Sequence, residues 1–168
     1  MRPNSVFKIS LGPPGAARVV ILLLMACLTP CLGWVDVKQA AGAEEQVLAR
    51  LISEYFSSWS KPDMQAYKNC FHAQASVYFI DASGNPHKYS LEEFIAQQEK
   101  AHLAATAPMT EKPTQSTIEV RGRTAQALVR WELLKSGTTA TGTDYFTFLK
   151  TAAGWKILTL VFEQDKKR

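Results

Sequence analysis

His72, His87 and His102 are the side chains best suited to move a proton at neutral pH, and they are too scattered along the chain to bind a metal together. Neither H-E-x-x-H nor a paired Cys/His spacing occurs, so no metal is expected. His72 follows Phe71 at the end of a predicted helix, where a contact with the helix terminus suits it better than general-base work. Cys70, beside Phe71, reads as a buried and unreactive thiol. The absence of G-x-S-x-G, P-loop and dinucleotide fingerprints leaves nucleophilic hydrolysis, nucleotide hydrolysis and nicotinamide chemistry without support, and no cofactor is implied. What remains is a set of carboxylates and phenols among many aromatic residues.

The segment that precedes these residues has a different character. Arg2, Lys8 and Arg18 flank an otherwise uncharged stretch leading into the 10-residue apolar run Val19 to Leu28. That length suits the h-region of a secretory signal and falls short of the roughly 20 residues of a spanning helix. Residues 1–43 therefore read as a signal peptide or an N-terminal anchor, with cleavage after Gly33 or after Ala43, lipidation at Cys27, or retention through residues 19–35 as the alternatives. An exported chain, periplasmic or secreted, is expected, with membrane contact only through that leader.

The net charge of +4 also comes from this segment, because residues 44–168 hold 15 basic and 14 acidic side chains. Beyond a short basic tail at residues 164–168, no surplus exists to drive counterion release, so nucleic-acid binding is not expected. With Cys27 and Cys31 in the leader, Cys70 is the one cysteine of the remaining chain, and the domain must hold by packing alone.

Helical spacing of Val47, Leu48, Leu51, Ile52, Tyr55, Phe56 and Trp59 predicts a first helix from Glu44, ended by Lys61-Pro62-Asp63. A short helix over 64–72 follows, then a strand at Ser76–Ile80 that stops at the turn formers Asp81 to Pro86. Ser90-Leu91-Glu92-Glu93 supplies a capping box for a third helix running toward His102. Four long strands at about 110–120, 124–134, 141–151 and 155–163 then predict an antiparallel meander. Ala127, Val129 and Trp131 alternate with Gln126, Leu128 and Arg130, and both faces carry apolar area. The helices cover one face, so the other is expected to be covered by a second copy of the chain.

This order, and two local strings, resemble the nuclear transport factor 2-like superfamily. Asp63 through Phe71-His72-Ala73-Gln74-Ala75-Ser76-Val77 is similar to its transition into the first strand, and Gly142-Thr143-Asp144-Tyr145-Phe146-Thr147-Phe148-Leu149 with Gly154-Trp155-Lys156-Ile157 is similar to its last hairpin. The resemblance spans roughly residues 44–163 and implies an α+β, cone-shaped fold, three N-terminal helices packed on a curved antiparallel sheet. It is nearly silent on activity, since one scaffold hosts enzymes, binding modules and assembly domains.

Within such a cone, Tyr55, Trp59, Tyr78, Phe79, Trp131, Phe146 and Phe148 either line a cavity for a small hydrophobic ligand or fill it, with Tyr55 and Asp144 positioned to orient a ligand. Comparison with the ketosteroid isomerases of the superfamily implies that Tyr55 and Asp144 fall where those enzymes keep two oxyanion-hole donors. Phe146, Phe148 and Trp131 would supply the apolar surroundings that keep Asp144 protonated. At the position of the proton-abstracting carboxylate this chain has Phe79, which cannot take a proton. Asp81 and His102 are the substitutes, although Asp81 borders a turn. A noncatalytic domain binding a small hydrophobic ligand or a protein partner is therefore the leading expectation, and a cofactor-independent isomerase or cyclase the rival.

Overall fold

The computed structural model describes residues 37–166, with side chains from residue 42 onward. The leader expectations at Cys27, Gly33 and residues 19–35, and the last two residues of the basic tail, lie outside the described residues. Among those described, no helix is long and apolar enough to cross a membrane.

The elements run α1 (Val37–Ser60), α2 (Met64–Asn69), β1 (Phe71–Ile80), β2 (Pro86–Ser90), α3 (Leu91–Leu103), β3 (Met109–Arg121), β4 (Thr124–Lys135), β5 (Thr138–Thr151) and β6 (Gly154–Gln164). Six strands form one sheet in the order β2-β1-β6-β5-β4-β3, antiparallel throughout except where β1 pairs in parallel with β6. The α+β architecture of helices on a sheet, and the four-stranded meander, stand as expected.

Local chemistry sets the helix boundaries. Asp63 accepts a hydrogen bond from the Ala66 N–H at 3.0 Å and starts α2. Ser90 and Glu93 form the reciprocal capping box of α3. One face of α1 carries Leu48, Ile52, Tyr55, Phe56 and Trp59, all buried, against sheet residues such as Val77, Val129, Phe148 and Leu160. A Phe148→Ala change would empty a fully buried site and is expected to cost about 3–5 kcal/mol in a denaturant titration.

Two boundaries differ from expectation. The second helix stops at Asn69, not residue 72, and β1 begins at Phe71, because a break in the β1/β6 register between Phe71 and Ser76 lets the strand run through the polar stretch His72 to Gln74. The segment Pro86–Ser90, read as the end of a turn, is the edge strand β2, whose polar exposed residues carry little alternation.

Candidate functional site

The site is built on the β4/β5 pair. Trp131 lies directly opposite Gly142, and Asp144 is two residues further along the same face of β5. A Cβ at Gly142 would overlap both the Trp131 indole and the Glu163 carbonyl oxygen, so the missing side chain is what lets the indole lie flat on the strand. From there the Trp131 Nε1–H donates to Asp144 Oδ1 at 2.8 Å. Asp144 is only 3% exposed.

Three further elements bring polar groups to the same place. Tyr55 on α1 and Tyr67 on α2 stand with ring centroids 4.8 Å apart, and Tyr55 meets Phe146 edge-on at 5.2 Å. Glu111 enters from β3. Its backbone is clamped by Ser60 at the end of α1, whose Oγ donates to the Glu111 carbonyl at 2.9 Å and accepts from the Glu111 N–H at 2.8 Å. The register break between Pro113 and Gln115 reverses which residues of β3 face inward, so Glu111 points in although Ile118 and Val120 set the opposite phase downstream.

These groups surround a cavity of about 150 Å³. Tyr55, Trp59, Tyr67, Phe94, Trp131 and Asp144 form its buried part, while Phe79, Leu133, Phe162 and the exposed Gln164 lie toward solvent. Gln98 of α3 also lines it and accepts from the Trp59 Nε1–H at 2.9 Å. No Lys, Arg or His is among the lining residues.

Burial raises the Asp144 carboxyl to about 7, against the opposing influence of the Trp131 N–H and the Tyr55 hydroxyl. Burial, and then the neighbouring Asp144, push Glu111 well above the carboxylate range. Two carboxyls in one dry site resist joint ionisation, so the pair retains a proton at neutral pH. Burial also raises both phenols, Tyr55 and Tyr67, keeping them neutral donors. The arrangement offers hydrogen-bond donors and acceptors at the base of an aromatic cleft.

Of the residues singled out from sequence, Tyr55, Trp59, Phe79, Trp131 and Asp144 come together here. Three do not. Phe146 and Phe148 lie beneath, stacked at 5.4 Å within the core, and Tyr78 faces the opposite side of β1, where Lys88 sits 5.9 Å from its ring. Trp131, expected as an apolar wall, is the hydrogen-bond donor to Asp144.

Asp81 is not at the cavity. Its carboxylate accepts from Ser83 N at 2.8 Å and Asn85 N at 2.9 Å and pairs with His87 at 3.0 Å, and the His87 contact first of all holds it far below the usual range. His102 packs against Trp59 with centroids 4.4 Å apart and borders a separate hollow with Ser60 and Pro62, its imidazole lowered by burial. Cys70 is buried, its thiol pushed up to about 12 by desolvation, as an inert core residue should be. Seven of the twelve lining residues were not expected from the sequence, among them the ionisable Glu111 and Tyr67. Among the described residues, no three His, Cys, Asp or Glu side chains gather as a metal site would require.

Solved structures with the same fold include a nuclear transport factor 2-like superfamily protein from Salmonella enterica, 20% identical with a TM-score of 0.64, covering 75% of this chain and 94% of that one. A nuclear transport factor 2-like protein of unknown function from Pseudomonas putida is 13% identical with a TM-score of 0.66, over 76% of this chain and 90% of its own. A "putative dehydratase" of that family from Streptomyces avermitilis is 11% identical with a TM-score of 0.64, over 76% and 99%. At such identities they show a shared fold alone. No curated protein matches the chain. The family model described as "Putative lumazine-binding" matches residues 43–163. The chain therefore belongs to that lumazine-binding-like family and has the nuclear transport factor 2-like fold.

Proposed function

We propose that this is an exported, noncatalytic ligand-binding domain that holds a small, largely apolar molecule in the cavity between α1, α2, α3 and the sheet. The observation that carries the reading is an open space at the base of the cone whose walls are aromatic and which carries the buried Asp144 and Tyr55 and the half-buried Glu111. The family's description supports it, since lumazine is itself a small aromatic molecule. Export rests on the leader pattern of residues 1–43. Native mass spectrometry of the chain purified from its own host is expected to show a defined small-molecule mass, lost on Leu133→Trp, which would narrow the mouth. Protein that is bare under all native conditions would remove the reading.

Glu111 supplies an argument for a second reading. Two titratable groups on one cavity are what a cofactor-independent isomerase or cyclase requires, with Tyr55 and Asp144 polarising a carbonyl and Glu111 moving a proton. A general base must be ionised at its working pH, however, and burial raises the Glu111 carboxyl, which works against that form. The binding reading is preferred on that ground.

The same proposal includes a homodimer through the outer face of the sheet. There Leu128 is 40% and Tyr145 is 44% exposed, on either side of a trough of about 490 Å³ that Thr117, Gln126, Thr147 and Val161 also line. Light scattering is expected to give twice the chain mass, and Leu128→Glu to give a folded monomer. A natural chain that is monomeric at high micromolar concentration would contradict the dimer.

A further inference from the structure

We infer that the ligand of this cavity is a small organic cation, an ammonium or protonated amine carried on a compact apolar frame. The inference rests on the ligand-binding reading and specifies the ligand's charge.

Charge complementarity is the first ground. The lining holds two carboxyl side chains, Glu111 and Asp144, and no basic residue. The groups facing the pair from the packed elements are all neutral near pH 7. They are the Tyr55 hydroxyl from α1, the Tyr67 hydroxyl from α2 and the Trp131 N–H from β4, while α3 contributes Phe94 and Gln98, β1 contributes Phe79, and β6 contributes Phe162 and Gln164. Of the lysines on the flanking strands, Lys112 pairs with Glu132 at 3.0 Å and Lys150 with Glu44. A buried carboxylate with no counterion is costly, and a cation placed beside it removes that cost. An anionic ligand would meet repulsion, and a neutral apolar one gives the second carboxyl no role.

The walls are the second ground. Seven of the twelve lining residues are aromatic. Rings around a desolvated cation attract it through their negative faces, an arrangement that recurs where ammonium groups are recognised. Size is the third: a cavity of about 150 Å³ suits a compact frame on the order of a single ring or a small quaternary ammonium.

The charge balance has a consequence. Below about pH 7 both carboxyls of the empty site are protonated, so one cation enters as the Asp144 proton leaves to solvent and the carboxylate formed becomes its counterion, whereas above that range the ionised Asp144 already supplies it. Affinity should therefore rise with pH, by up to about tenfold per unit where the empty pair is protonated.

Isothermal titration of the full chain with choline and with its uncharged carbon isostere, 3,3-dimethylbutan-1-ol, in buffers of differing ionisation enthalpy at pH 6 and pH 8, tests this. Choline is expected to bind at least tenfold more tightly than the isostere at pH 8, to weaken by about tenfold at pH 6, and to release about one proton at pH 6 and almost none at pH 8. Asp144→Asn should abolish the proton release and the preference for charge, with its urea midpoint reporting that the variant folds. An isostere that binds as tightly as choline at both values overturns the cation and leaves the ligand site standing. If neither probe binds, the inference falls together with the ligand-binding reading.

Discussion

Asp144→Asn is expected to make the chain more stable than its parent at pH 8 by about 4 kcal/mol, relative to the difference between the two at pH 4. The folded chain holds the Asp144 carboxyl at about 7, raised by burial, whereas an unfolded chain releases the proton near 3.8. Stability linked to that proton is fully present below about pH 4 and is lost as the pH rises through about 7. The gap between 3.8 and about 7 corresponds to about 4 kcal/mol. Asn carries no proton to lose and keeps a carbonyl oxygen for the Trp131 N–H. Glu111→Gln should act in the same sense, and the two together by less than their sum because the carboxyls share one site. Asp81, Glu93 and Glu44 are held low, so their contributions have the opposite sign and are lost as pH falls. Both chains carry them, so they cancel in the difference. Urea midpoints across this range read the effect, and parallel profiles for parent and variant would show that Asp144 is not buried as described.

Gly142→Ala is expected to cost about 3 kcal/mol and to detach Trp131 from Asp144. A methyl group there meets the indole ring on one side and the Glu163 backbone oxygen on the other. Relief requires both moving Trp131 away and shifting the β6 backbone at Glu163, at the cost typical of overpacking plus the lost hydrogen bond. Gly42→Ala is the matched comparison, since a Cβ there meets nothing within 4 Å and helix propensity favours Ala. Thermal unfolding of both variants, with the Trp131 indole proton followed by NMR, separates the two positions. A Gly142→Ala chain as stable as Gly42→Ala would refute the proposed packing.

The parts of this molecule legible in the sequence are those where burial imposes a simple period. Residues 124–131 alternate cleanly because one face of β4 meets the helices, and Leu48 to Trp59 recur every three or four residues because α1 has one buried stripe. Asp144 stood out as a carboxyl among aromatics. Glu111 did not, since it lies in a polar run whose phase is broken at Pro113 to Gln115, and alternation read from Ile118 backward turns it to solvent. Strand β2 escaped because a short exposed edge strand has no apolar face to reveal. The assignment of Tyr78 to the cavity failed for a related reason. Adjacent aromatics on one strand must face opposite sides, and the sequence does not say which of Tyr78 and Phe79 faces the helices.

The tryptophan indole N–H signals give the most direct test that the cavity beside Asp144 is a ligand site. Trp59 and Trp131 line it, whereas Trp155 bonds to Glu44 and is not among the lining residues. Titrating the isotope-labelled chain with small amine and aromatic probes is expected to shift the Trp59 and Trp131 signals together and leave Trp155 in place. Signals of Trp59 and Trp131 that stay fixed at millimolar concentrations of every probe would contradict the account and leave the cone as packing alone.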